Sequence, residues 1–209
     1  MDRPLGLHQF LSKKFPVLEF DGKWKAAFGT PDVCGTWIIW GASGSGKTRF
    51  AVQLCKYLTR FGEVAYNSLE EGYRYSLQRA FIDENMEEVG KRVKPWSRIR
   101  ISKMKELLSA PKSPNFIIID SFQYTRMSYE EYQELKEAFP HKLFIFTSHA
   151  EGKEPRGSAA QSVRYDCDLK IRVEGYRAEA VGRLGGDNFY TVWEDGAAIY
   201  WKDNVQQTI

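Results

Sequence analysis

At 209 residues the chain suits one compact α/β domain with a real core and is short for two. Hydrophobic residues at 43% and charged residues at 27% exclude long disorder and low complexity, and no fixed-period repeat is visible. A formal charge of +3 is compatible with a polyanionic partner but too small to argue for one. Cys34, Cys55 and Cys167 are odd in number and widely spaced, so they read as reduced, mostly buried thiols rather than a disulfide framework or a zinc knuckle. The amino-terminal residues lack the pattern of a signal peptide and no apolar run is long enough to span a bilayer, which predicts a cytoplasmic protein without membrane partners.

In chain order, residues 1–35 carry Trp24, Phe28 and Gly29 and are expected to pack across the sheet that follows. From Thr36 onward short apolar runs alternate with helical patterns, the signature of a parallel sheet built from crossover units. Strands are predicted over 36–40, 64–69, 115–120, 142–148 and 168–174, apolar on both faces as a covered sheet requires, with an edge strand over 98–102. Between 47 and 61, Phe50, Ala51, Leu54, Cys55, Leu58 and Phe61 fall on one helical stripe, and Gly62 is a stop signal. Weaker helical patterns cover 72–83, 86–93, 103–109 and 128–139, the last ended by Pro140. Beyond the fifth strand, β-rich runs over 178–184, 188–193 and 197–201, separated by glycine turns, predict consecutive hairpins. The expected fold is one α/β domain: a packing segment (1–35), a mainly parallel core flanked by helices (36–174) and an antiparallel hairpin extension (175–209).

The octapeptide Gly41-Ala42-Ser43-Gly44-Ser45-Gly46-Lys47-Thr48 sits between a predicted strand and a predicted helix, the setting of a phosphate-binding loop. Its glycines permit torsions that let successive N–H groups converge on phosphate oxygens at a helix amino terminus. Lys47 is placed to bridge the terminal phosphates of ATP, and Thr48 to ligate Mg2+. Background residue frequencies give the full pattern in roughly one chain of this length in a hundred, before its context is counted. Phe116-Ile117-Ile118-Ile119-Asp120 is an apolar strand ending in a carboxylate, where the second magnesium-organising acid of such proteins sits. A strand-terminal Asp is otherwise a common cap or turn residue. Glu70 and Glu71 follow a strand at the carboxyl edge of the sheet, where ligands bind; a carboxylate there can deprotonate an attacking water, or simply begin a helix.

The string Val64-Ala65-Tyr66-Asn67-Ser68-Leu69-Glu70-Glu71, followed by Gln78-Arg79-Ala80, resembles the RecA-like ATPases, particularly the DnaB helicase and RadA/Sms branches. Further matches are Ile119-Asp120-Ser121 with Gln123, Thr147-Ser148-His149, Asp166-Cys167-Asp168 and Gly182-Arg183-Leu184-Gly185, in the family's order. The resemblance implies that the strand over 142–148 lies between the phosphate-loop strand and the Asp120 strand. It implies Glu70 as the catalytic base with Glu71 as second choice, His149 as a sensor of the γ-phosphate, and Arg183 as a finger reaching a neighbouring subunit. Val181 stands where the family carries a companion lysine. The segment 151–158 falls where the family has a mobile DNA-contacting loop, which makes Lys153 and Arg156 candidates for DNA phosphates. Neither an amino-terminal helicase domain nor a four-cysteine zinc module is visible.

Three functions are compatible with these residues. One is an ATPase that forms rings or filaments and acts on single-stranded DNA in recombination or replication, small phage-type recombinases being the closest match in size. The others are a KaiC-like ATP-driven switch with a protein partner, and a phosphate-loop small-molecule kinase. Strand order separates the kinase, which keeps its Asp120-type strand directly beside the phosphate-loop strand.

Overall fold

The computed structural model describes residues 4–182 and 185–206. Its sheet holds β1 (Gly35–Gly41), β2 (Val64–Ser68), β3 (Val93–Ser97), β4 (Phe116–Asp120), β5 (Leu143–Glu151), β6 (Glu154–Pro155), β7 (Leu169–Glu174), β8 (Arg177–Ala180) and β9 (Tyr190–Thr191). The order is β3-β2-β4-β5-β1-β7-β8-β9; the strands from β3 to β7 run parallel and the last two antiparallel, while β6 folds back on β5. The helices are α1 (Leu7–Ser12), α2 (Gly22–Phe28), α3 (Lys47–Leu58), α4 (Tyr75–Asp83), α5 (Ile101–Leu108), α6 (Tyr129–Ala138), α7 (Ser158–Asp166) and α8 (Glu194–Gln206).

The two-residue period of a strand explains why the core strands are apolar throughout. Trp37 and Ile39 of β1 face one layer, with Phe50, Leu54 and Leu58 of α3 and Phe28 of α2. Ile38 and Trp40 face the other, with Met104 of α5, Tyr132 and Leu135 of α6, and Val163 of α7. Each such fully buried side chain is worth about 1.5–3 kcal/mol, so the two layers hold the sheet between them. Leu18, Phe20 and Phe28 are buried against α3, and Trp24 stacks on Tyr57 with ring centroids 4.6 Å apart.

A polar knot pins the start of β1. The Tyr132 hydroxyl donates to Asp166 Oδ2 (2.7 Å), so its contact with the wholly buried Thr36 Oγ1 (2.7 Å) has threonine as donor. Lys136 completes the knot, 2.8 Å from the same carboxylate oxygen. Asp168 accepts from the Thr36 amide at 2.8 Å. Ser128 and Glu131 form a reciprocal capping box that starts α6 one residue after the sequence-based boundary.

Three expectations are corrected. The edge strand is β3 over Val93–Ser97, not 98–102; residues from Ile101 onward are helical. Proline in the middle of the run disguised it, but at a sheet edge the missing N–H leaves no ladder bond unmade, and the Pro95 carbonyl turns outward to accept from Tyr73. Second, the helix expected over 86–93 is 3-10 helix over Met86–Arg92, kinked at Gly90, leading into that strand. Lastly, 197–201 is helical, within α8. Gly196 does not make a hairpin turn: a β-carbon there would stand 2.3 Å from the Trp193 ring, so glycine permits close packing. α1, α2 and α7 were not anticipated.

All three cysteines are free, with Cys55 and Cys167 buried, and burial pushes the Cys167 thiol up to about 12. No helix among the described residues is long and apolar enough to cross a membrane.

Candidate functional site

The loop from Gly41 to Thr48 joins β1 to α3 at the carboxyl edge of the parallel sheet. Gly44 (φ 75°) and Gly46 (φ 101°) occupy left-handed backbone that other residues adopt at a cost. Gly41 is required for space: a β-carbon would lie 2.1 Å from the Val173 carbonyl of β7. The Ser45 carbonyl accepts from the Tyr176 amide at 3.1 Å, tying the loop to the β7–β8 turn. Ser45 Oγ is buried without a partner among the described residues. Lys47 and Thr48 open α3, and Lys47 Nζ donates to the loop's own Ala42 carbonyl at 2.6 Å. A cavity of about 220 Å³ adjoins the loop, walled on the far side by the β7–β8 turn and Tyr200 of α8.

Asp120 ends β4. Its Oδ2 accepts from the Tyr66 hydroxyl (2.9 Å) and its Oδ1 from the Thr147 hydroxyl, so neighbouring strands on both sides orient the carboxylate. Burial pushes the Asp120 carboxyl above the usual carboxylate range, against those two hydrogen bonds. Burial likewise holds the Lys47 ammonium below its usual value, opposed by the charges of Asp120 and Glu70. Two partly desolvated groups of opposite sign thus face one spot.

Glu70, two residues beyond β2, stands 3.3 Å from His149 Nε2 and accepts from Ser121 Oγ at 3.4 Å. Its backbone amide donates to the Asp120 carbonyl (3.2 Å), which draws it over the end of β4. Glu71 points elsewhere, to the Ser76 hydroxyl in the first turn of α4. His149 pairs in register with Gly41, one strand away from the phosphate loop. Lys47, Asp120, Glu70 and His149 therefore converge at one edge of the sheet.

Lys153 is exposed in the tight turn between β5 and β6, and Arg156 is exposed just beyond it. This segment is a pinned hairpin rather than an open loop. The Trp40 indole donates to the Lys153 carbonyl (3.0 Å), and Glu154 is held by Arg164 at 2.8 Å. Arg183 lies outside the described residues.

Sequence reasoning missed three orienting groups. Tyr66 and Thr147 lie within the matched strings but received no role there, and only the flanking of β4 by β2 and β5 brings them to Asp120. Gln123, noted earlier only as a motif match, donates to Ser148 Oγ (2.8 Å) and the Arg156 carbonyl (3.0 Å) and accepts from the His149 amide (3.3 Å). It thereby fastens the hairpin to the candidate sensor.

No protein-family model and no curated protein matches the sequence. Among solved structures, the chain is similar to the flagellar accessory protein FlaH from Methanocaldococcus jannaschii, with 14% identity and a TM-score of 0.57 over 80% of this chain and 88% of that one. The fold is RecA-like. A second similarity, to the solved ATPase domain of another protein, has 13% identity and a TM-score of 0.46 over 67% of this chain and 69% of that chain. In this RecA-like fold β5 lies between β1 and β4, as the resemblance implied.

The Thr48 side chain offers a hydroxyl and Asp120 a carboxylate, both hard oxygens of the kind Mg2+ takes. No group of three or more His, Cys, Asp or Glu side chains able to hold a metal occurs among the described residues.

Proposed function

We propose that the protein is a magnesium-dependent ATPase that assembles into homo-oligomers and acts on single-stranded DNA in recombination or replication. The convergence of Lys47, Asp120 and Glu70 beside the phosphate loop carries the ATPase reading. The strand order supports it over a small-molecule kinase, because β5 separates β4 from the phosphate-loop strand.

Backbone amides of residues 41–48 bind the phosphates, and Lys47 exchanges its contact with the Ala42 carbonyl for a terminal phosphate oxygen. Thr48 and Asp120 would hold Mg2+, which would neutralise phosphate charge. Glu70 accepts the proton of the attacking water, and its neighbours His149 and Ser121 fix where the carboxylate points. Glu71 is the poorer candidate because Ser76 engages its carboxylate. His149 serves as the sensor of the γ-phosphate, and Gln123 joins its backbone to the hairpin that bears Lys153 and Arg156, the candidate DNA contacts. Arg183 is assigned as a finger for the neighbouring subunit on the motif alone.

The test is ATP hydrolysis with and without single-stranded DNA, alongside a light-scattering mass. DNA-stimulated turnover by an oligomer, lost in Lys47→Ala, is expected. Turnover unchanged in Lys47→Ala ends the ATPase reading. An oligomeric ATPase indifferent to DNA at low salt leaves the KaiC-like protein switch.

A further inference from the structure

A second basic surface lies on the opposite side of the Asp120 strand from the Lys153 hairpin. It is a groove of about 830 Å³ at the carboxyl ends of β2, β3 and β4. Arg98 and Arg100 line it from the segment after β3, and Gln123, Tyr124 and Arg126 from the segment after β4. No acidic side chain lines it, and Arg98, Arg100 and Arg126 are exposed and enter no ion pair among the described residues. On a surface where nearby Lys103 and Lys105 are both paired with glutamates, three guanidinium groups around one hollow, none with an acidic partner there, are an uncompensated positive field.

Independent features of the backbone point the same way. The amino terminus of α5 opens into the groove at Ile101, and its N-cap residue, Arg100, supplies no side-chain cap, so the first amides of the helix keep their donors free. Arg98 (φ 53°) and Arg126 (φ 57°) both hold left-handed backbone, a conformation that long side chains rarely adopt. On facing loops, it sets both guanidinium groups at the same hollow, and strain of this kind gathers at ligand sites. Tyr124, 49% exposed, adds an aromatic face beside the cations. Cations spaced along a groove with an exposed ring are what a single strand of nucleic acid requires: phosphate contacts for affinity and a platform for a base.

We infer that this groove, through Arg98, Arg100, Arg126 and Tyr124, binds the sugar-phosphate backbone of single-stranded DNA. The inference rests on the proposed DNA-dependent function and assigns it a surface separate from Lys153 and Arg156. Arg98 also gives the groove a route to catalysis. Its Nη2 donates to the carbonyls of Glu71 (3.2 Å) and Glu70 (3.5 Å), so a phosphate that draws the guanidinium outward shifts the segment holding Glu70.

The experiment is fluorescence anisotropy of a labelled oligothymidylate titrated with full-length protein and a non-hydrolysable ATP analogue, across a salt series. The double variant Arg100→Ala with Arg126→Asn is used because asparagine tolerates the left-handed conformation. Its affinity should fall at least about tenfold, and the slope of log K against log salt should drop by about 1.4, the loss of two phosphate contacts to a single strand. Basal ATPase without DNA and the melting temperature should stay as in the parent, and Tyr124→Ala should weaken binding without changing the slope. An unchanged affinity and slope in the double variant, while Lys153→Ala with Arg156→Ala loses binding, overturns the groove and leaves the DNA-dependent function standing. A parent protein that binds no oligothymidylate at low salt overturns both. Displacement of the oligonucleotide by polyglutamate as readily as by unlabelled DNA overturns the assignment in favour of an acidic polypeptide.

Discussion

His149 Nε2 lies 3.3 Å from Glu70 Oε2, a contact that passes from β5 over the tip of β4 to the second residue after β2. It makes the position of Glu70 depend on a side chain two strands away from its own. Glu70→Gln keeps size and loses the proposed base, so turnover should fall by about 100-fold or more with nucleotide affinity nearly unchanged. Glu71→Gln should cost far less, because that carboxylate faces Ser76. His149→Ala, which frees Glu70 without removing it, should lower kcat by roughly tenfold, in the range of a positioning effect. Steady-state ATPase and fluorescent-nucleotide binding separate the three, and equal losses in Glu70→Gln and Glu71→Gln would reassign the base.

Asp120 predicts a pH-dependent stability. A carboxyl whose folded value is raised contributes stability below its unfolded value and loses it as pH rises through the folded value, because only the folded state then still holds the proton. Asp120→Asn removes that charge. Without nucleotide or metal, the variant should melt higher than the parent at neutral pH, on the order of 2–4 °C, with the gap closing as pH falls into the ordinary carboxylate range. Turnover should nevertheless be lost. A gap that widens in acid would show that the hydrogen bonds from Tyr66 and Thr147, rather than burial, dominate.

Tyr132→Phe tests the knot at the start of β1. The change removes the acceptor of the buried Thr36 hydroxyl and one donor to Asp166, while Lys136 keeps its contact. Urea unfolding should show a loss of about 1–3 kcal/mol, with nucleotide affinity unaltered, since the knot lies at the opposite end of β1 from the phosphate loop.

Arg183 should act in trans if it is a finger. Arg183→Ala should then lower turnover while sparing ATP affinity, because a guanidinium at the γ-phosphate stabilises the transition state more than the ground state. Mixing with Lys47→Ala subunits, whose finger is intact, should restore activity. Mixed oligomers that form and stay inactive would return Arg183 to the surface.

The sequence by itself determined the parts of this protein that short stretches of chain encode. The phosphate loop is eight consecutive residues whose glycine torsions and helix amino terminus are local properties, and the core strands are short runs whose apolar residues must be covered on both faces. Strand order was also expected, but through resemblance, since no local pattern specifies which strands become neighbours. Tertiary structure decided the rest. Whether Glu70 or Glu71 faces the site depends on an amide held by the Asp120 carbonyl and on His149, groups far apart along the chain. Val93–Ser97 became a strand despite Pro95 because it lies at the edge, and 197–201 became helix despite β-rich residues because it packs on the β7–β8 turn. The arginine groove is the extreme case: Arg98, Arg100 and Arg126 are ordinary one at a time, and only the pairing of β3, β2 and β4 sets their loops side by side, because strand neighbours in a parallel sheet are joined through crossovers rather than by sequence.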